Sequence, residues 1–325
     1  MATGACGTGS VDAVMQPRVA VIVCAHLLGR LALLDEALDS LRRQRLPPDE
    51  IVVVIDGDPD LAAVFERRER DHGLVVLPTR SGLAAARNAG VAACSADYVF
   101  FLDDDAVADP DWISILAAVM AEDRILGASG FSAPRWGARR PAWLPDEFLW
   151  TIGCSYAGQP TQHTRVRNVY GGCCCLSRAL FTELGGYDAR FGRSARSRGG
   201  GEEADLCLRA RERWPGVQLA YEPAARIDHY VPPERLRLRY AVRRSYDEGR
   251  MKARVSAARR DALVPELRFA GSLPAALARS LLGPLRGDLG GPSRAAGIAL
   301  LAGAVVAGIV VGWTERLRTG PAGRA

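Results

Sequence analysis

Tyr98-Val99-Phe100-Phe101-Leu102-Asp103-Asp104-Asp105 is an apolar run that ends in three consecutive carboxylates. Aromatic and branched residues in so short a run predict a buried strand over 98–102. Three adjacent acids repel one another unless a cation sits among them. A hard divalent ion takes oxygen ligands and commonly travels with phosphates. In open α/β sheets ligands bind outside the carboxyl ends of the strands, so the acids stand where that chemistry belongs. The same residues also read as a solvated acidic turn leading into a helix near Pro110, because Asp favours turns and N-caps.

On the N-terminal side of that strand the pattern repeats. Val19-Ala20-Val21-Ile22-Val23 is continuously apolar, as in a parallel strand covered on both faces. Leu34, Leu38 and Leu41 recur at helical spacing, and Pro47-Pro48 stops that helix. Ile51-Val52-Val53-Val54-Ile55 is a second strand, followed by a short helix over 61–70, a strand over 74–77 and a helix over 82–88. This β-α alternation predicts an α/β domain with a parallel sheet and right-handed crossovers. Beyond Pro110 a helix over 112–120, strands near 126–131 and 169–176, and a helix over 178–184 are expected. Residues 132–164 carry Trp, Pro and Gly without a period and read as a substrate-facing loop region. Glu202-Glu203-Ala204-Asp205 opens a further helix after Gly199-Gly200-Gly201.

With 325 residues, 48% of them hydrophobic and 24% charged, the chain can bury a large core. The net charge of +5 is modest, and Lys252 is the single lysine. The first 230 residues show no basic face interleaved with aromatics, which argues against nucleic acid as a partner. Eight cysteines form no C-x-x-C, so free thiols in a reducing compartment are expected. Residues 1–16 read as a disordered leader rather than a secretion signal. Residues 241–325 read as a basic helical tail. Within it, 295–313 holds nineteen residues without charge, closed by Trp313, Arg316 and Arg318. That segment is either a helix buried on the catalytic domain or a membrane element, spanning or interfacial.

Several short motifs occur in a recognisable order. Val21-Ile22-Val23-Cys24-Ala25-His26, Asp56-Gly57-Asp58, Ala86-Arg87-Asn88-Ala89-Gly90 and Leu102-Asp103-Asp104-Asp105 come first. Gly171-Gly172, Leu184-Gly185-Gly186-Tyr187-Asp188, Gly201-Glu202-Glu203-Ala204-Asp205-Leu206 and His229 follow. Over roughly 17–240 the chain resembles family-2 glycosyltransferases with the GT-A fold, a mostly parallel central sheet flanked by helices. The resemblance implies an inverting, metal-dependent transfer of a sugar from a nucleotide-diphosphate donor to a hydroxyl of a glycan or lipid-linked glycan.

The resemblance also implies roles. Ala25 and Asp56 border the nucleoside, and Arg87 meets the diphosphate. Asp103 and Asp105 form a D-x-D in which Asp105, with His229, holds Mg2+ or Mn2+ while Asp103 supports ribose or metal. Asp104 is counted with the donor acids, since it alternates away from the metal on an extended strand. Glu203 is the expected base that takes the acceptor hydroxyl's proton, with Glu202 as the alternative. The Glu-Glu pair departs from the family's usual Glu-Asp, and Leu27-Leu28 replaces its usual aromatic-Asn.

Residues 141–150 resemble enzymes that extend polyprenyl- or dolichyl-phosphate-linked sugars, glucuronosyl transferases among them. That match and the tail imply a polyprenyl-linked acceptor and a site at the cytoplasmic face of a membrane, from which deletion of 265–325 would release the protein. The loop over 193–201 is expected to close over the donor. The alternatives are a nucleotide-sugar-binding module without turnover and a sugar-nucleotide pyrophosphorylase. A dehydrogenase is disfavoured because no G-x-G-x-x-G follows the first strand.

Overall fold

Alternate residues of Val19–Ala25, strand β1, go to opposite sides of a sheet, and helices cover both sides. The structure, a computed structural model, describes residues 17–68, 72–191, 200–256 and 264–319. The leader expected over 1–16, Cys6 and the arginine-rich loop over 193–198 lie outside the described residues. Val19, Val21 and Val23 join one apolar cluster, and Ala20 and Ile22 join the other. Doubly covered strands cannot afford a polar face, which is why β1 has no alternation in its sequence.

The chain continues through α1 (Leu31–Arg42), β2 (Glu50–Asp56), α2 (Pro59–Glu66), β3 (Gly73–Leu77), α3 (Leu83–Ala92) and β4 (Tyr98–Asp103). Then come β5 (Ala106–Ala108), α4 (Trp112–Met120), β6 (Ile125–Trp136), β7 (Thr164–Val166), β8 (Cys173–Ser177) and α5 (Ala179–Leu184). The strand-bearing part ends with α6 (Glu202–Arg213) and β9 (Gln218–Val231). The strands form one sheet in the order β3-β2-β1-β4-β8-β6-β9-β5, with β7 paired to β9. β3, β2, β1 and β4 are parallel, as the alternation predicts, and so are the long β6 and β9. β8 runs antiparallel to both β4 and β6.

Leu34 of α1, Leu61 of α2 and Trp112 of α4 pack on one face of the sheet. Ala84 of α3, Leu180 of α5 and Leu206 of α6 pack on the other. Parallel strands bring their carboxyl ends to one edge, so Ala25, Asp56 and Asp103 finish on the same side.

Residues 132–164 differ from the loop expected. Residues 132–136 extend β6, and residues 146–152 form a 3-10 turn. Leu144, Phe148, Leu149 and Ile152 are buried with Ala276, Ile298 and Leu301 from the end of the chain. The apolar residues here serve helices more than eighty positions away, a contact that no local period can announce. Those helices are α7 (Leu238–Ser256), α8 (Val264–Leu281) and α9 (Gly291–Thr319). The tail is therefore helical, as expected, and rests on the catalytic part. Among the described residues, Gly291–Glu315 is the one stretch of helix long and apolar enough to cross a membrane.

Candidate active site

Asp103 closes β4, and the chain turns at once so that Asp104 and Asp105 fold back under the sheet edge. Ala106 pairs with His229 in the β5–β9 ladder, and the Tyr230 backbone N–H donates to the Asp105 carbonyl at 2.7 Å. That register brings two distant parts of the sequence together. One ligand atom each from Asp103, Asp105 and His229 lies within 4.8 Å of the others. His229 Nε2 stands 3.4 Å from Asp105 and 4.0 Å from Asp103.

Two arginines already serve these acids. Arg30 contacts Asp105 and lies 3.0 Å from Asp104. Arg235 lies 3.6 Å from Asp105 and donates to His229 Nε2 at 3.3 Å. Two carboxylates and an imidazole are a donor set that suits Mg2+ or Mn2+, and the arginine heads show that cationic charge is wanted at this point. Asp104 stays apart from this trio. Burial, then the neighbouring Asp105, push its carboxyl up to about 8, with Arg30 pulling the other way.

Arg87 sits one layer deeper. Ala84, Arg87 and Val91 share the buried face of α3, so the guanidinium enters the core instead of solvent. It donates to Glu203 Oε1 at 2.6 Å and lies 3.5 Å from Asp103 and 3.6 Å from Glu202. The Phe101 ring lies 5.3 Å from its carbon centre. Burial works against the charge, and Glu203 leads the acids that more than offset it, so its pKa rises well above the ordinary value. The resemblance implied a diphosphate contact for Arg87; in the structure its partners are carboxylates, and it joins Glu203 to Asp103.

Glu202 and Glu203 occupy the first turn of α6, where the helix dipole favours carboxylates. Glu202 is buried, whereas the Glu203 side chain keeps 14% of its surface. Asp205 instead pairs with Arg209 at 2.8 Å, and Arg209 donates to the Leu184 and Gly186 carbonyls, fixing the turn that follows α5. Asn88 clasps that turn from α3: its amide donates to the Tyr187 carbonyl at 2.8 Å and accepts from the Tyr187 N–H at 2.9 Å. Gly171 and Gly172 leave room for the acids. A methyl on Gly171 would strike Glu203, and one on Gly172, which holds φ +80°, would strike Asp103.

Asp56 is buried and accepts from the backbone N–H groups of Ser81 and Gly82 at 2.7 and 2.9 Å, tying the loop before α3 to β2. Cys173 and Cys174 alternate between the two cores. Burial pushes the Cys173 thiol up to about 12 and that of Cys174 well above its ordinary value, which leaves them inert. The seven described cysteines are all free thiols. A cleft of about 670 Å³ opens beside Asp105, bounded by Leu27, Arg30, Arg135, Tyr230 and Arg235. Sequence reasoning missed Arg30 and Arg235. Arg235 lies six residues after His229 in Pro232-Pro233-Glu234-Arg235, and the proline pair was the signal that a rigid turn returns it to the site.

Residues 20–185 match the model of glycosyl transferase family 2. The chain belongs to this family. Its members transfer sugars, and this chain is a glycosyltransferase. A glucosyl-dolichyl phosphate glucuronosyltransferase of Haloferax volcanii is 33% identical over 242 residues, covering 72% of this chain and 76% of the relative. The succinoglycan biosynthesis protein ExoM of Rhizobium meliloti is 26% identical over 72% of this chain and 74% of its own. Among solved structures, the mannosyltransferase PcManGT of Pyrobaculum calidifontis, in complex with GDP-Man and Mn2+, matches with TM-score 0.58 and 19% identity, over 93% of this chain and 89% of that one. GalNAc-T7 with UDP, GalNAc and Mn2+ matches with TM-score 0.52 and 18% identity, over 73% and 51%. The glycosyltransferase thus has the GT-A fold.

Proposed function

We propose that this glycosyltransferase moves a sugar, with inversion, from a nucleotide-diphosphate donor to a hydroxyl of a polyprenyl- or dolichyl-phosphate-linked glycan at the cytoplasmic face of a membrane. One observation carries the reading: Arg87 holds Glu203 against Asp103, which puts a carboxylate base next to the acids that would face the donor. The Haloferax volcanii relative's dolichyl phosphate substrate supports the lipid-linked acceptor.

In this reading the donor's nucleoside lies by Ala25 and Asp56, whose loop is already ordered by Ser81 and Gly82. Asp103, Asp105 and His229 hold Mg2+ or Mn2+. When bound, that ion supplies charge to the leaving diphosphate. Asp104 stays buried behind this group and shapes the turn. Glu203 accepts the acceptor hydroxyl's proton as its oxygen attacks the anomeric carbon from the face opposite the leaving group. Arg87 acts through Glu203 and Asp103 by fixing where both point. Glu202, buried beside Arg87, lacks the access that Glu203 has.

Isothermal titration with UDP- and GDP-sugars, with and without Mn2+, tests the reading together with turnover on lipid-linked acceptors. Wild type binds and transfers. Asp105→Ala loses metal-dependent donor binding, while Glu203→Gln binds donor and loses about 100-fold or more in turnover. Binding without transfer in wild type would return the non-catalytic module. The match to glycosyl transferase family 2 disfavours a pyrophosphorylase.

A further inference from the structure

Helix α9 is long and apolar enough to cross a bilayer, but its inner face is already taken along its length. Gly297 lies so close to the Trp143 carbonyl that a methyl would collide with it, and Gly308 meets the Tyr246 carbonyl of α7 in the same way. Between these points Ile298 and Leu301 are buried with Leu144, Phe148 and Ile152. Near its end Glu315 accepts from Arg250 of α7 at 2.7 Å. Only 33% of the most apolar window is buried overall, so the docking uses one side.

The partner helix decides the orientation. α7 carries Arg243, Arg244, Asp247, Glu248, Arg250 and Lys252 alongside the half of α9 that holds Gly308. Setting α9 across a bilayer would pull these charges into hydrocarbon or tear the glycine contacts apart. Each such residue at the centre of a span costs about 2.5–3.5 kcal/mol. Six of them, even paired with one another as Arg244 is with Glu248, weigh against a spanning α9.

The outer face is bare. Every exposed residue of α9 between positions 296 and 314 is uncharged: Ala296, Ala299, Leu300, Gly303, Val306, Ala307, Val310, Trp313 and Thr314. They recur every three or four positions, so they form one stripe about 28 Å long at ~1.5 Å per residue. Leu281, Leu282, Leu285 and Leu289 extend the apolar surface through the turn before α9. Ten of the fifteen exposed large hydrophobic residues among those described belong to α8, this turn and α9, so the exposure is concentrated. Arg268 and Arg279 of α8 and Arg286 of the turn are exposed, Arg279 with Glu147 at 3.2 Å, and Asp288 is exposed in the same turn.

We infer that this stripe and the leucine turn lie in the interface of a bilayer, with α9 parallel to the membrane plane and the catalytic part above it. The chemistry matches an interfacial helix: an apolar strip without charge, Trp313 near one end, and arginines where anionic headgroups would sit. A second copy would also cover the leucines, but it would set these arginines towards their own like. The inference deepens the proposed function and rests on the lipid-linked acceptor only in preferring a bilayer to a protein partner.

The test uses the full chain and vesicles that contain no acceptor, made of phosphatidylcholine alone or mixed equally with phosphatidylglycerol. Wild type sediments with the mixed vesicles, and alkaline carbonate releases it from cell membranes. The double variant Val306→Glu/Val310→Glu, both positions being exposed, binds vesicles at least about tenfold more weakly and keeps the donor-dependent rise in melting temperature. Trp313→Ala gives a smaller loss in the same direction. Retention through carbonate would make α9 a span and overturn the inference. So would vesicle binding unchanged in the double variant, or a wild-type dimer that ignores vesicles and that the double variant splits. Vesicle binding that persists where transfer fails would sustain the inference while refuting the proposed function.

Discussion

Replacing Arg87 by Met should cost more stability than any surface ion pair. Its side chain is 4% exposed and that of Glu203 14%, so solvent screening gives little relief. Met keeps the apolar stem but leaves Glu203, Glu202 and Asp103 facing one another without their shared cation, where Arg87 had stood 2.6, 3.6 and 3.5 Å away. Removing one partner of a buried ion pair costs about 3–5 kcal/mol. At roughly 2–4 °C per kcal/mol, the melting temperature should fall by roughly 6–20 °C. The double variant Arg87→Met/Glu203→Gln removes one stranded charge and should recover about 1–3 kcal/mol relative to additivity. Urea unfolding of the four proteins at neutral pH in EDTA reads both numbers. A loss below about 1 kcal/mol in the single variant, with additive behaviour in the double, would show that the cluster does not need its arginine.

Asp104 predicts a pH dependence. Its folded pKa of about 8 exceeds the unfolded 3.8, so the native state holds the extra proton between those values and stability falls as pH rises through that window. Asp104→Asn should flatten the slope, melting above wild type near pH 8.5 in EDTA; equal slopes would sink the assignment. Mn2+ at about a hundred times its Kd should stabilise wild type by ~2.7 kcal/mol and leave Asp105→Ala unmoved in a thermal shift. Arg235→Gln should bind Mn2+ more tightly in calorimetric titration, because a guanidinium no longer competes for Asp105 and His229; weaker binding would contradict this. Phe148→Ala should lose about 3–5 kcal/mol with donor affinity unchanged, and an unaltered melting temperature would mean that the tail cluster does not stabilise the fold.

The β-α alternation was legible because each apolar run carries its own period and its own stop. Helix 112–120 was placed to the residue, since Trp112, Ile113, Leu116, Val119 and Met120 repeat at helical spacing. The antiparallel β8 was not legible, because a five-residue apolar run carries no mark of direction. In the candidate site, Asp103, Asp105 and His229 were found as motif residues, and their meeting depends on the β5–β9 register, which the sequence does not display. The burial of Arg87 was readable in principle. Ala84, Arg87 and Val91 fall at i, i+3 and i+7, the stripe that faces the core. Arg30 stayed hidden because its partners lie more than seventy positions away.

The cluster around Leu144, Phe148, Leu149 and Ile152 bears on how the enzyme can be prepared. Trimming a hydrophobic tail is a common route to a tractable protein, and 265–325 is the obvious cut here. That cut would unroof Leu144, Phe148 and Ile152, which are now fully enclosed, together with the carbonyl of Trp143. The shortened protein would carry an oily scar, and its aggregates would pellet alongside membranes in a fractionation. Removal of the tail would then imitate the membrane retention it was meant to abolish. Glutamates set into the outer stripe, with the inner face left whole, keep solubility and attachment as separate observables.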